Sequence, residues 1–242
     1  VRVHLKKDAH RYAFEVSSRP KQGANGTSPW QSHAQGWVGY TAAGLSKHRS
    51  LAELEARCSL NRHESKNGCL TIKQEKHLNF GPRWRTLRRI SLGKQEALAL
   101  LELPQEFAAD LETYELHPAL LDLALGCGLS LIEGYEDCDD LYVPFSCQSV
   151  RCTAPLRRRI YSYIRSNEHN HVNKPIATFD VTITSEDGEV LLEVKGFAVK
   201  KVAGQDALTV RHPSMSRSEP QSLGSHVVER LANLSPAERD LQ

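Results

Sequence analysis

Apolar and polar residues alternate from the first position: Val1, Val3 and Leu5 share one side of an extended segment, and Tyr12, Phe14 and Val16 repeat the pattern beyond Lys6, Lys7 and Asp8. A period of two on both sides of a polar break predicts a hairpin. A loop rich in Gly, Asn, Ser and Pro over 17–29 leads into a third strand, Trp30 to Tyr40. The stretch 44–77 is polar, with a short helix predicted over Leu51 to Cys58, and reads as a connection between two units. Strands are predicted again at Trp84 to Ser91 and Ala97 to Leu103, ahead of an apolar run from Pro118 to Ile132 that predicts one buried helix. An acidic loop, Glu133 to Asp140, follows. Four further strands are predicted near Gln148 to Thr153, Ile160 to Arg165, Ala177 to Thr184 and Val190 to Lys200, the last pair joined by a turn at Glu186-Asp187-Gly188. One long helix embraced by antiparallel strands is an α+β fold whose sheet curls around the helix. Beyond Val202 the composition turns to Ser, Pro, Arg and Gln, so 203–224 reads as a linker and 225–242 as a short amphipathic helix or two.

Within the apolar run Asp122 is the only charged side chain. An all-apolar helix predicts that Asp122 is buried, and an ionised carboxylate in an apolar interior must find a partner or keep its proton. Its helical neighbours four residues away, Pro118 and Gly126, offer neither charge nor a hydrogen-bonding side chain. A carboxyl kept neutral at pH 7 serves as a general acid. The alternative is an aspartate facing a polar partner from elsewhere in the fold.

Composition narrows the rest. A chain of 242 residues that is 40% hydrophobic can bury a core in one or two domains, and 31 Lys and Arg against 29 Asp and Glu leave a net charge of +2, which gives no sign of a nucleic-acid partner. Arg83-Trp84-Arg85 with Arg88-Arg89, and Arg157-Arg158-Arg159, lie on predicted strands or beside them, where alternate side chains face opposite ways. They read as a solvated face, with phosphate contact by some of them as the second option. The six cysteines include no C-x-x-C pair and fit reduced thiols, and His169 and His171 lack a third ligand at metal spacing, so no metal site is assigned. No apolar run is long enough to span a membrane and no signal peptide opens the chain, so it reads as soluble and cytoplasmic. It also reads as cut, since Val1 begins within a strand.

Three motifs carry a family resemblance: Asn79-Phe80-Gly81-Pro82-Arg83-Trp84, then Leu116-His117-Pro118-Ala119-Leu120-Leu121-Asp122, then Val143-Pro144-Phe145-Ser146. In this order and spacing they resemble the C-terminal half of a polyketide synthase dehydratase domain, and Trp30 to Gly36 resembles the end of its N-terminal half. The resemblance implies a double hot-dog fold: residues 1–43 as the remainder of the N-terminal hot-dog, 44–77 as the connection, 78–202 as the C-terminal hot-dog, and 203–242 as a linker into the post-dehydratase region. It implies elimination of water from a β-hydroxyacyl thioester carried on the phosphopantetheine of an acyl carrier protein, without a cofactor of its own. It further implies neighbouring synthase domains as partners and a homodimer formed through the parent synthase.

By motif position Asp122 matches the family's catalytic acid, and Phe80, Gly81, Pro82, His117, Pro118, Gly126, Pro144 and Phe145 match its substrate-binding surroundings. The family's base is a histidine in His-x-x-x-Gly-x-x-x-x-Pro, which no stretch of this chain satisfies. His77 has Gly81 at the right distance but Thr86 where proline belongs, and His33 has its glycine one residue early. The chain is therefore expected to carry half an active site and to be inactive alone. Two departures from the family stand out: Gly126 where relatives have Gln or His to orient the carboxyl, and Phe80 where they often have Tyr. Gly126 and Gly128 read first as a close approach of helix to sheet, with slimmer acyl-channel walls as the second option. A non-catalytic scaffold, a double-bond isomerase and a cyclase remain as other uses of the fold.

Overall fold

The computed structural model describes residues 1–19, 29–41, 47–65 and 68–202. The expected linker and amphipathic helices of 203–242, and the middle of the 17–29 loop, lie outside these residues. The predicted hairpin forms from β1 (Arg2–Asp8) and β2 (Arg11–Ser18), with Val3 opposite Val16 and Leu5 opposite Phe14. β3 (Gln31–Gly39) adds to β2, closing a three-stranded antiparallel sheet in the order β1-β2-β3. Much of its apolar surface stands open: Val3, Leu5, Trp37 and Val38 are exposed, while Phe14 and Val16 on β2 are half-buried. Arg11 lies over the ring of Trp37 at 3.9 Å, covering part of it with a cation.

The stretch 44–77 is more than a connection. It supplies α1 (Leu51–Arg57), whose first turn is capped by the Ser50 hydroxyl accepting from the Glu53 amide, and β4 (Asn61–Glu64). An antiparallel sheet runs β4-β5-β6-β9-β10-β11-β7, with β8 pairing to β11 as well; its other strands are β5 (Leu87–Leu92), β6 (Glu96–Glu102), β7 (Leu141–Ser146), β8 (Ser149–Cys152), β9 (Arg159–Ser166), β10 (Ile176–Thr184) and β11 (Val190–Val202). β4 and β7 were not foreseen. β4 reads Asn-Arg-His-Glu and carries no apolar residue, since it is an edge strand exposed throughout. β7 contains Pro144, which a strand tolerates at a sheet edge, and a register shift in β11 falls opposite it. Trp84, expected in a strand, instead ends a 3₁₀ turn, Pro82–Trp84, and the strand begins at Leu87.

β6 is buried on both faces, which accounts for its unbroken apolar run. Ala97, Ala99 and Leu101 join the main core with Ile160, Ile164, Phe179 and Val181, while Leu98 packs on the other side against Leu54, Cys58 and Tyr163. Glu96 closes that second face, salt-bridged to Arg57 at 2.7 Å and accepting a hydrogen bond from the Tyr163 hydroxyl. Burial pushes the Cys58 thiol up to about 11 and that of Cys127 up to about 12. All six cysteines are free thiols.

The apolar run is not one continuous α-helix. α2 (Pro118–Gly126) gives way to a 3₁₀ segment over Cys127–Leu131. α2 lies against β6 and β9, where the Ser162 hydroxyl donates to the Ala124 carbonyl at 2.8 Å. A helix cradled by a curled antiparallel sheet is the hot-dog arrangement, as expected. The two glycines behave differently. A Cβ on Gly128 would stand 3.2 Å from Phe179 and 3.3 Å from Ile164, so this is the close approach of helix to sheet. A Cβ on Gly126 would meet nothing within 4 Å, so the same reading fails there. Alanine at Gly126 is expected to stabilise the protein by up to about 1 kcal/mol through helix propensity. At Gly128 it is expected to cost about 1 kcal/mol or more through overpacking. Chemical denaturation of the two variants checks the opposite signs.

Candidate active site

α2 buries one stripe, Ala119, Leu120, Leu123 and Ala124, at the i, i+1, i+4, i+5 spacing of a single helix face. The opposite stripe, Pro118, Leu121, Asp122, Leu125 and Gly126, is exposed or half-buried. Asp122 is therefore exposed, which corrects the expectation of burial. An apolar composition on every face does not show which face the sheet covers, and here the sheet covers the one away from the carboxyl.

What holds Asp122 comes from the segment before β5. Pro82 at the first position of its 3₁₀ turn, with a fixed φ and no N–H to leave unpaired, starts the turn, and the Trp84 amide closes it on the Gly81 carbonyl at 3.0 Å. The turn is anchored by its own side chains. Arg83 pairs with Asp110 at 2.6 Å and lies 4.3 Å over the Phe107 ring, and Trp84 stacks on Phe80 with ring centroids 6.2 Å apart. The Trp84 indole Nε1–H then donates to Asp122 Oδ2 at 2.7 Å. Among the described residues this is the carboxyl's only hydrogen bond, leaving Oδ1 open.

Asp110, on a 3₁₀ segment (Gln105–Glu112) that the pattern of apolar residues did not announce, ties the turn to the helix. Its Oδ2 also lies 3.4 Å from Nε2 of His117, the residue that caps α2 through its backbone carbonyl. The hydrogen bond from Arg83 holds the Asp110 carboxyl below the usual carboxylate range, and His117 adds to it. His117 is 1% exposed, its ring edge-on to Tyr114, and its Nδ1 has no partner among the described residues. It thus points into the protein and not toward the open stripe.

The remaining matched positions spread further. Phe80 and Gly81 line a cleft of about 580 Å³ together with Leu70, Ile72, His77, Trp84, Arg85 and Leu123. Pro82 and Pro118 are exposed, Gly126 sits one turn beyond Asp122, and Pro144 and Phe145 lie exposed on the edge strand β7, with no hydrogen bond or ring contact to Asp122 or Trp84. No described histidine bonds to Asp122. The arginine clusters are mostly spent on internal pairs: Arg89 with Glu55 (2.6 Å), Arg158 with Glu102 (2.5 Å), Arg159 with Glu186 (3.3 Å), Arg88 with Glu102 (3.8 Å), and Arg157 with Asp187 and Glu189. Arg85, exposed at the cleft, has no carboxylate partner among the described residues. His169 pairs with Glu133 at 2.7 Å, and among the described residues no three His, Cys, Asp or Glu side chains gather as metal ligands would.

Sequence reasoning missed Trp84 as the partner of Asp122 and Asp110 as the link beneath it. The signals were thin: an indole within a motif 38 residues upstream, and an acid seven residues before the helix cap.

Comparison with known proteins places the fold and the family. A family model described as the polyketide synthase dehydratase N-terminal domain matches residues 47–209. Polyketide synthase PksM of Bacillus subtilis (strain 168) is 25% identical over 177 residues, 72% of this chain but only 4% of PksM, so the chain spans a small part of such a relative. The crystal structure of a trans-AT polyketide synthase dehydratase domain from Brevibacillus brevis matches with a TM-score of 0.70 at 20% identity, covering 83% of this chain and 69% of that one. Two inactive variants of the CurK dehydratase of the curacin synthase match with a TM-score of 0.63. One, with an aspartate changed to asparagine, is 20% identical and covers 85% of this chain and 67% of that one. The other, with a histidine changed to phenylalanine, is 19% identical and covers 82% and 67%. With the family model running from α1 through β11, the chain belongs to the polyketide synthase dehydratase family.

Proposed function

We propose that this chain is part of a dehydratase domain that removes water from a β-hydroxyacyl thioester on an acyl carrier protein within a polyketide synthase, with Asp122 as the general acid. The observation that carries the reading is the presentation of Asp122: a carboxyl on the open stripe of α2, one oxygen held by Trp84 and the other free to face a substrate. Elimination then runs in balance. A base takes the proton next to the thioester carbonyl, that electron pair becomes the new double bond, and the carbon–oxygen bond breaks with its pair on oxygen. The departing oxygen takes the Asp122 proton and leaves as water. The inactive aspartate variant of CurK supports carrying the acid to Asp122, and its inactive histidine variant supports a histidine base, whose motif no stretch of this chain supplies.

Exposure changes how the acid is equipped. Leu121 and Leu125 flank Asp122 on the open stripe, so an acyl chain laid along them would exclude water from the carboxyl as it binds. On this reading 78–202 is the C-terminal hot-dog and 1–43 the remainder of the N-terminal one. Carrier protein, neighbouring domains and a synthase homodimer are its partners. A cytoplasmic location fits the free thiols. Among the described residues no helix is long and apolar enough to cross a membrane. The test is turnover of a carrier-borne β-hydroxyacyl thioester by the full polypeptide, followed by mass spectrometry as the loss of one water. An unchanged substrate mass would contradict the reading.

Arg85 gives a finer expectation, that it meets the phosphate of the carrier's pantetheine arm at the cleft. Arg85→Ala should raise KM for carrier-borne substrate roughly tenfold, the scale of one lost charge-assisted hydrogen bond. KM for a short thioester lacking the phosphate should not change. Parallel kinetics on the two substrates decide it.

A further inference from the structure

We propose that Trp84 is the positioning residue for Asp122, fixing which carboxyl oxygen carries the transferable proton. The inference rests on the reading of Asp122 as the acid and goes beyond it. An indole N–H only donates, so the oxygen facing it, Oδ2, must accept, and a proton on the neutral carboxyl belongs on Oδ1. Without that bond the two oxygens are equivalent, because the torsion about the carboxyl is broad and two-fold. Nothing on the helix replaces the donor. Gly126, one turn on, has no side chain, and the space its Cβ would enter is empty.

The bond is also framed from both ends by one acid. Arg83, next to Trp84, and His117, which caps α2, both reach Asp110, so the turn that carries the donor and the helix that carries the acceptor share an anchor. Stacking on Phe80 restrains the indole from the side. Proper orientation of a reacting group is worth large rate factors, and small misplacements are costly.

The test uses the full polypeptide and carrier-borne substrate. Trp84→Phe keeps an aromatic ring and removes the donor; kcat should fall on the order of tenfold to a hundredfold while KM stays within about twofold. Adding Gly126→Gln to that variant should restore at least fivefold of the loss, since a side-chain amide at i+4 can donate to Asp122 across one helical turn. Wild-type turnover in Trp84→Phe, or a loss that Gly126→Gln does not relieve, would overturn the proposal. A wall-building role for Trp84 would raise KM and would not respond to a donor at position 126. A second measurement needs no change at Trp84: its indole proton resonance, assigned by its loss in Trp84→Phe, should move upfield in Asp122→Ala, and an unmoved resonance would also overturn the proposal. Full activity of Asp122→Asn would instead remove the acid assignment itself, so the two failures are told apart.

Discussion

Asp122→Asn in the full polypeptide is expected to lower the rate of dehydration by roughly 10³-fold, within the range that a positioned general acid contributes. The substitution is close to isosteric. Asparagine still offers its carbonyl oxygen to the Trp84 indole, so the geometry around α2 survives, but its amide cannot give up a proton to a departing hydroxide. Because the side chain is exposed and asparagine keeps an acceptor for Trp84, thermal stability should stay within about 0.5 kcal/mol of the wild type, as for ordinary surface changes. Single-turnover kinetics with a melting curve on the same sample check both halves. A variant that turns over normally removes Asp122 from the mechanism, whereas one that loses activity and stability together points to a structural role.

The second large effect is on the scaffold. Phe179 is fully buried in β10, its ring against Gly128 where the 3₁₀ segment follows α2. Phe179→Ala would leave a cavity beneath the end of the helix at a cost of about 3–5 kcal/mol. That is a large share of the 5–15 kcal/mol by which domains are typically stable. The urea midpoint should fall steeply with little change in slope, as for a change in stability without a change in exposed surface. Phe145→Ala, on the exposed edge of β7, should shift it little. Equal losses at the two positions would contradict the placement of the core.

These contrasts show which features were legible in the sequence. β6 and the last three strands were readable because alternation or an unbroken apolar run reports burial on one face or two; the hairpin was readable from its alternation alone, although Val3 and Leu5 stand exposed. β4 was not, since Asn61 to Glu64 owe their strand to pairing with β5 alone and bury nothing. Pro144 concealed β7 in the same way, by marking a break where an edge strand could tolerate it. At the site, the motif located Asp122, but composition misjudged its surroundings: Leu121 and Leu125 are only half-buried, packed against the edge of the core beside the open stripe. The donor to Asp122 was invisible to any local pattern, because Trp84 reaches it from 38 residues upstream across a turn whose anchor, Asp110, comes from a third segment. Gly126 was the one local hint. A helix that gives its acid no neighbour one turn on needs a partner from elsewhere.

The central claim is that Asp122 hands a proton to the leaving oxygen, and leaving-group dependence tests it most directly. Wild type and Asp122→Asn should be compared, in the full polypeptide, on a β-hydroxyacyl thioester and on its β-acyloxy counterpart, whose carboxylate departs without needing a proton. The account predicts a loss of about 10³-fold on the hydroxy substrate and a loss of less than tenfold on the acyloxy one. Equal losses on both substrates would contradict it, placing Asp122 in binding or in α-proton removal instead of in protonating the departing oxygen.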